Sequence, residues 1–270
     1  MNTVISKDGT RLAYDKSGQG PALILVGGAF SYRKFPGMTK LAAQLSERFT
    51  VFNYDRRGRG DSEDKQPYAI AREIEDLRAL IDEAGGSAHV WGLSSGAVLA
   101  LKAAASGANI TKLALHEPPF VVDASGHQPP RELLRHVTAL IADNRRAEAV
   151  NYFMTKGMGA PSFVVLMMRL MPGAWSSLMA VAHTLPYDAA LLDVYMSGQP
   201  LPADQWSGVR MPALVLEGTE SPVSLRRAAQ ALAQVLPRAQ LVSKKGLGHT
   251  KQLQAKRIAA ELSAFLLDGK

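Results

Sequence analysis

A five-residue turn near the middle of the chain constrains the fold more than any other stretch. Residues 88–93 form a short apolar run of strand-forming side chains, and residues 95–106 are rich in Ala and Leu, which favour a helix. Between them Gly92, Ser94 and Gly96 form a Gly-x-Ser-x-Gly pattern. Glycine on both sides lets the strand and the helix approach closely, since a Cβ atom there would collide. The pattern predicts a sharp strand-to-helix turn that exposes the hydroxyl of Ser94 at its tip.

The start of this predicted helix would also favour a negative charge beside Ser94. The first N–H groups of a helix have no partner within the helix, and the helix dipole adds partial positive charge there. Glycine and serine are common, however, and a glycine-flanked turn without chemistry is the alternative. Other motifs along the chain therefore have to decide between the two interpretations.

Apolar runs and helical patterns alternate along most of the chain. A hairpin is predicted over residues 2–17, where Asp8 and Gly9 separate two alternating runs. The predicted strands then cover residues 22–26, 49–54, 88–93, 112–118, 213–216 and 239–243. The predicted helices between and after them cover residues 38–49, 68–84, 95–106, 224–235 and 252–267. This alternation predicts an α/β fold with a mostly parallel sheet.

Two glycine-containing segments follow predicted strands. Residues 27–29, Gly-Gly-Ala, end the first buried strand, and residues 55–62 have the sequence DRRGRGDS. Glycines and charged side chains in that order favour a tight, hydrogen-bonded turn. We expect a structural role for this loop, with Asp55 and Arg57 in ion pairs.

Taken together, these motifs resemble those of the α/β-hydrolase superfamily over almost the full length of the chain. The matching segments are the turn at Ser94, the Asp-x-Arg-Gly-x-Gly-x-Ser loop from Asp55, and a Gly-x-Gly-His segment that ends at His249. The likeness is to its serine-nucleophile branch of esterases, lactonases and haloperoxidase-like enzymes. It implies a mostly parallel twisted sheet with helices on both faces and a helical cap insertion. It also implies a core formed by residues 1–127 and 207–270, with the cap at residues 128–206.

The resemblance implies roles for the residues around the turn. Ser94 is the nucleophile, and the main-chain N–H groups of Ala29 and Ser95 form an oxyanion hole. Gly27 stands where the family often has a histidine, so the chain departs from the family pattern here. A plain glycine turn at residues 27–29 remains the alternative.

His249 is the implied general base, which a serine hydroxyl needs near neutral pH. It follows the last predicted strand and comes directly after Gly248, as in the family's loop. The other five histidines lie inside predicted strands or in or near the predicted cap: His89, His116, His127, His136 and His183.

The acid of the triad departs from the family pattern. Counting from Gly218 puts Ser221 where the family usually has aspartate, and serine has no charge to stabilise an imidazolium. Glu117 ends the strand before the predicted cap, where some haloalkane dehalogenases carry the acid. We favour Glu117 because a carboxylate at the C-terminal end of a buried strand lies at the rim of an open α/β sheet. Glu220 is the alternative acid, and Glu217 is a third candidate.

Methionines are concentrated in the predicted cap. Seven of the ten lie there: Met154, Met158, Met167, Met168, Met171, Met179 and Met196. Methionine is flexible and fills irregular apolar space, which suits an adaptable apolar pocket beneath a lid. Ordinary helix packing is the alternative, so we expect only one or two of them to touch substrate.

Composition narrows the function further. The absence of cysteine excludes disulfides, Cys-ligated zinc and a thiol nucleophile. We expect a cytoplasmic protein without membrane association, because there is no long apolar run and no secretory pattern. The formal charge of +7 is scattered, which argues against nucleic-acid binding. The expected partner is a small-molecule substrate, with no cofactor and no metal; the oligomeric state is left open.

The sequence therefore predicts a serine hydrolase of a small apolar carboxylic ester, lactone or related acyl compound. Ser94, His249 and Glu117 would act through an acyl-enzyme. Serine in the turn, rather than aspartate, argues against dehalogenase or epoxide-hydrolase chemistry. One alternative is a carbon–carbon bond hydrolase, which needs the same three residues. The other is a non-hydrolytic ligand-binding or cyclase-like protein on the same scaffold, which the displaced acid and the missing histidine would fit.

Overall fold

The apolar runs form one eight-stranded sheet in the computed structural model, which describes residues 1–171, 173–249 and 253–268. The sheet order is β1-β2-β4-β3-β5-β6-β7-β8; β1 and β2 pair antiparallel, β2 pairs antiparallel with β4, and the remaining pairs are parallel. The strands are β1 (Asn2–Ile5), β2 (Arg11–Ser17), β3 (Ala22–Val26), β4 (Thr50–Tyr54), β5 (Ala88–Leu93), β6 (Ile110–His116), β7 (Ala213–Gly218) and β8 (Ala239–Lys244).

Ten α-helices accompany the eight strands within the described residues. They are α1 (Pro36–Leu45), α2 (Ile70–Glu83), α3 (Ser95–Ala105), α4 (Leu133–Ala142), α5 (Arg146–Tyr152), α6 (Ser162–Leu170), α7 (Ala174–Val181), α8 (Leu185–Leu192), α9 (Val223–Val235) and α10 (Ala255–Leu266). Apolar side chains of α1 and α10 form the core on one face, and those of α2, α3 and α9 form it on the other. Helices α4 to α8 all lie between β6 and β7 in the chain. The predicted mostly parallel α/β sheet is confirmed.

Among the described residues, no single helix is long and apolar enough to cross a membrane. One bent pair, Ser162–Leu170 with Ala174–Tyr195, reaches the required length and apolarity only when both parts are counted together.

Some predicted boundaries differ from the structure. The helix predicted over residues 38–49 is wrong at both ends, since α1 begins at Pro36 and ends at Leu45. Proline suits the first helical position because its φ is already helical and its missing N–H would lack a partner there. The last helix begins at Ala255, and residue 252, the start of the predicted helix, lies outside the described residues.

The turn after β5 is as sharp as the sequence predicts. Ser94 has φ 55° and ψ −124°, a conformation that side-chain-bearing residues rarely adopt. Gly96, the second residue of α3, lies against the end of β3: a Cβ atom there would run into the carbonyl of Val26 and lie 2.6 Å from the Gly27 oxygen. The close approach of α3 to β3 therefore brings Ser94 beside the loop that follows β3.

His116 ties β6 to the loop after β8. It is fully buried at the end of β6, and its Nε2–H donates to the Leu247 carbonyl over 2.5 Å. Burial first, and the neighbouring His249 second, lower the pKa of His116 from 6.5 to about 4. The imidazole is therefore neutral in the folded protein at neutral pH and helps to hold the loop that carries His249.

Replacing Gly96 by alanine should destabilise the fold by about 1–3 kcal/mol or more, because the atoms in the way are backbone carbonyls of a buried strand end. Gly37→Ala is the matched control, since Gly37 is the second residue of α1 and its Cβ would have ordinary contacts no closer than 3.4 Å. It should be neutral or slightly stabilising. Thermal unfolding followed by circular dichroism measures both; equal Tm values would contradict the close approach.

Stability should depend on pH through His116. As the pH falls from 6.5 towards 4, the unfolded chain binds a proton at His116 that the folded chain does not. The free energy of unfolding therefore decreases over this window, by up to about 3 kcal/mol from this group. His116→Gln should flatten that dependence, whereas His127→Gln, which removes an exposed imidazole, should not. Urea unfolding near neutral pH and at about pH 4.5 measures this dependence. An equal change in the free energy of unfolding between the two pH values in the wild type and in His116→Gln would contradict the prediction.

Candidate active site

Two main-chain N–H groups lie beside Ser94 without a hydrogen-bond partner among the described residues: those of Ala29 and Ser95. Ser95 opens helix α3, so its N–H is one of the donors that a helix start leaves free. Ala29 lies in the loop after β3; a Cβ atom on its neighbour Gly28 would be 2.9 Å from the Ser94 Cβ. Both donors predicted for the oxyanion hole are thus next to Ser94 and available.

The imidazole of His249 is held by the carboxylate of Glu117. Nδ1 of His249 lies 2.5 Å from Oε2 of Glu117, and the main-chain N–H of His249 donates to the same oxygen over 3.0 Å. The other oxygen, Oε1, accepts from the N–H of Gly218 over 2.9 Å. With the proton on Nδ1, this arrangement leaves Nε2 as a base.

Glu117 is charged at neutral pH despite having no exposed surface. Burial by itself would raise the pKa of its carboxyl. The hydrogen bond and the electrostatic attraction from His249 outweigh burial and lower the pKa from 4.5 to about 2. A permanent negative charge therefore faces the imidazole.

The other two candidate carboxylates point elsewhere. Glu220 is exposed and lies 3.8 Å from the ammonium of Lys245. Glu217 is buried, and its Oε1 accepts from the side-chain amide of Gln230 over 3.3 Å. The structure thus brings Glu117 to His249 and does not bring Glu220 or Glu217 there.

Glu117 and Ser221 approach the same loop from neighbouring strand ends. A Cβ atom on Gly248 would run into the hydroxyl of Ser221 and would lie 3.9 Å from Oε1 of Glu117. Since β6 and β7 are parallel neighbours, a carboxylate after either strand can reach the loop that carries His249. The displaced acid is therefore explained by the geometry of the sheet.

Two apolar cavities meet at Ser94. The larger, of about 690 Å³, includes Phe35, Met38, Met154, Met168 and Leu178 in its lining. The smaller, of about 260 Å³, includes Phe120, Leu133, Leu192 and Met196. Both are lined by Ala29, Ser94, Met158 and His249. Within the described part of the chain, no group of three or more His, Asp or Glu side chains is arranged to hold a metal ion.

The methionines of the 128–206 region divide between the cavities and the surface. Four of the seven line a cavity: Met154, Met158, Met168 and Met196. Met167 and Met171 are exposed, as is one side of Met158. More methionines thus surround the space around Ser94 than the one or two that we expect to touch substrate.

The DRRGRGDS loop forms buried ion pairs, as expected. Arg57 pairs with Asp76 at 2.6 Å and with Asp8 at 3.0 Å. Asp55 pairs with Arg33 at 3.2 Å.

One buried carboxylate near the site was missed by the sequence analysis. Asp188, in α8, is fully buried and accepts hydrogen bonds from Arg59 over 2.6 Å, Arg56 over 2.7 Å and the hydroxyl of Ser95 over 2.8 Å. Burial would raise the pKa of Asp188, but the two guanidinium groups lower it. No sequence pattern could reveal this contact, because α8 lies far along the chain from Arg59 and Ser95.

Comparison with known proteins supports this fold. The alpha/beta hydrolase family model matches residues 23–261. An alpha/beta hydrolase from Sphaerobacter thermophilus is 48% identical, with a TM-score of 0.88 over 98% of this chain and 100% of that chain.

Two more distant structures share the fold. An esterase from a Rhodococcus species is 20% identical, with a TM-score of 0.70 over 99% of this chain and 98% of that chain. An enol-lactonase from Burkholderia xenovorans is 21% identical, with a TM-score of 0.70 over 99% of this chain and 100% of that chain. At such identities the likeness concerns the fold alone.

The family match spans most of the chain, however, and the Sphaerobacter enzyme is closely similar along its whole length. The chain therefore belongs to the alpha/beta hydrolase family of enzymes.

Proposed function

We propose that this chain is a serine hydrolase of small apolar carboxylic esters or lactones, with Ser94, His249 and Glu117 as its triad. The observation that carries the proposal is the 2.5 Å hydrogen bond between Glu117 and His249, at a cavity that Ser94 also lines. A charged carboxylate on Nδ1 fixes the imidazole in the tautomer that accepts a proton at Nε2.

In the proposed reaction, Ser94 Oγ attacks the carbonyl carbon of the ester, and the Ser94 proton moves to Nε2 of His249. The carbonyl oxygen takes the negative charge and accepts hydrogen bonds from the N–H groups of Ala29 and Ser95. The intermediate then collapses to an acyl-enzyme, and the leaving alcohol receives its proton from His249. In the second half of the reaction, the water oxygen attacks the acyl carbon as His249 takes a proton from the water. The bond to Ser94 Oγ then breaks, which releases the acid, and His249 returns its proton to Ser94 Oγ.

The two cavities favour a substrate ester that has an apolar group on each side of its carbonyl. Both open onto Ser94, and most of the side chains around them are aliphatic, aromatic or methionine. Such a surface favours apolar groups by the hydrophobic effect. We propose that the helices within residues 128–206 act as the cap, since Leu133, Leu178 and Leu192 contribute to these linings.

The alternative of a non-hydrolytic ligand-binding protein has less support from the structure than from the sequence. The displaced acid argued for that alternative, but the contact between Glu117 and His249 provides the carboxylate that a triad needs. A carbon–carbon bond hydrolase would use the same residues, and the experiments below separate it by its substrates.

Ser94→Ala should abolish labelling by a fluorophosphonate probe, because the probe reacts with an activated serine hydroxyl. The same change should remove hydrolysis of a p-nitrophenyl ester. Labelling of the wild type, followed by gel fluorescence, is the expected result. A folded wild type that is neither labelled nor active on esters would contradict the proposal, and activity on a carbon–carbon substrate alone would favour the alternative chemistry.

Glu117→Gln and Glu220→Gln form a matched pair that identifies the acid. Glu117→Gln should lower kcat by about 10⁴, as loss of the equivalent aspartate does in a serine protease, because the imidazolium loses its charged partner. Glu220→Gln should stay within about twofold of the wild type, since Glu220 is exposed. Steady-state kinetics with a p-nitrophenyl ester measures both variants. Equal losses in the two would show that Glu117 is not the acid.

A further inference from the structure

The buried guanidinium of Arg59 reaches the peptide group that carries the Ala29 N–H. Nη1 of Arg59 donates to the carbonyl oxygen of Gly28 over 2.6 Å and to that of Ser31 over 3.2 Å. The Gly28 carbonyl and the Ala29 N–H belong to one planar trans peptide unit, so they point in opposite directions. Holding the carbonyl on one side therefore fixes the direction of the N–H on the other.

Arg59 is itself held by the carboxylate of Asp188, which lies in helix α8 of the 128–206 region. Nη2 of Arg59 donates to Asp188 over 2.6 Å, and both side chains are fully buried. A bidentate guanidinium spanning two acceptors has little freedom to rotate, and a charged hydrogen bond of this kind is about twice as strong as a neutral one.

The same carboxylate also contacts the second proposed oxyanion donor. Oδ1 of Asp188 accepts from the hydroxyl of Ser95 over 2.8 Å, and Ser95 supplies the other free N–H. Asp188 thus touches the residue of one donor directly and reaches the peptide of the other through Arg59. A single side chain of the proposed cap connects both sides of the hole.

We propose that Arg59 is a positioning residue for the reaction. Arg59 directs the Ala29 N–H towards the carbonyl oxygen of the substrate, while Asp188 holds the guanidinium of Arg59 in place. This role rests on the proposed hydrolase function, because it acts through the oxyanion hole. The position of α8 against the sheet then determines how well the oxyanion hole is formed. The proposed cap therefore contributes to kcat as well as to the lining of the pocket.

Arg59→Lys tests this role, since one ammonium group cannot span the Gly28 carbonyl and Asp188 as a guanidinium does. Complete loss of one oxyanion donor costs about 10²–10³ in kcat, so misdirecting it should lower kcat by about 10–10². KM should stay within about twofold, because the donor acts mainly in the transition state. The rate of fluorophosphonate labelling should fall in parallel, as its phosphoryl oxygen needs the same donors.

Arg57→Lys is the matched control. Arg57 lies in the same loop, is equally buried and pairs with two carboxylates, Asp76 and Asp8. The Arg57→Lys variant should be less stable than the wild type, but its folded fraction should keep the wild-type kcat. Asp188→Asn is a second variant that keeps the size of the side chain; it should also lower kcat, and its effect should not multiply with that of Arg59→Lys.

Two failures can be told apart. If the wild type is neither labelled nor active on esters, the proposed function itself is wrong. If the wild type is active and Arg59→Lys matches Arg57→Lys in kcat and labelling rate, only the positioning role is wrong. Should Arg59→Lys fail to fold, Asp188→Asn with unchanged kcat overturns the role by itself.

Discussion

The hydrogen bond between Glu117 and His249 joins the ends of three parallel strands. Glu117 follows β6, its carboxylate accepts from Gly218 at the end of β7, and His249 lies in the loop after β8. A buried carboxylate without partners would be costly, but here each oxygen accepts at least one hydrogen bond. The bond therefore requires the parallel order of β6, β7 and β8, and the position of the imidazole follows from it.

Backbone strain is concentrated around the same space. Among the described residues, four non-glycine residues have positive φ, and three of them surround the site: Phe30, Ser94 and Glu117. Each such conformation costs of order 1–3 kcal/mol, so the surrounding structure has to hold it. The 2.9 Å hydrogen bond from the Ser94 N–H to the His116 carbonyl holds Ser94. The hydrogen bonds from Arg59 to the carbonyls of Gly28 and Ser31 hold the chain on either side of Phe30. Asp188 of α8 in turn holds Arg59, so α8 also helps to fix the backbone around this space.

Much of this could be predicted from local patterns. The alternation of apolar runs and helices predicts the sheet, and the glycines around Ser94 predict the turn, because both depend on neighbours in the chain. Glu117 could be favoured over Glu220 since the end of a buried strand has a known place in a parallel sheet. Asp188 and Arg59 could not be linked, because their contact depends on how α8 packs on the sheet. The two cavities likewise depend on packing between distant helices.

A crystal structure of the protein after reaction with a fluorophosphonate tests the central claim most directly. The account predicts phosphorus bonded to Ser94 Oγ, with the phosphoryl oxygen about 2.7–3.1 Å from the nitrogens of both Ala29 and Ser95, and with His249 still bonded to Glu117. An adduct on another residue, or a phosphoryl oxygen turned away from both nitrogens, would contradict it.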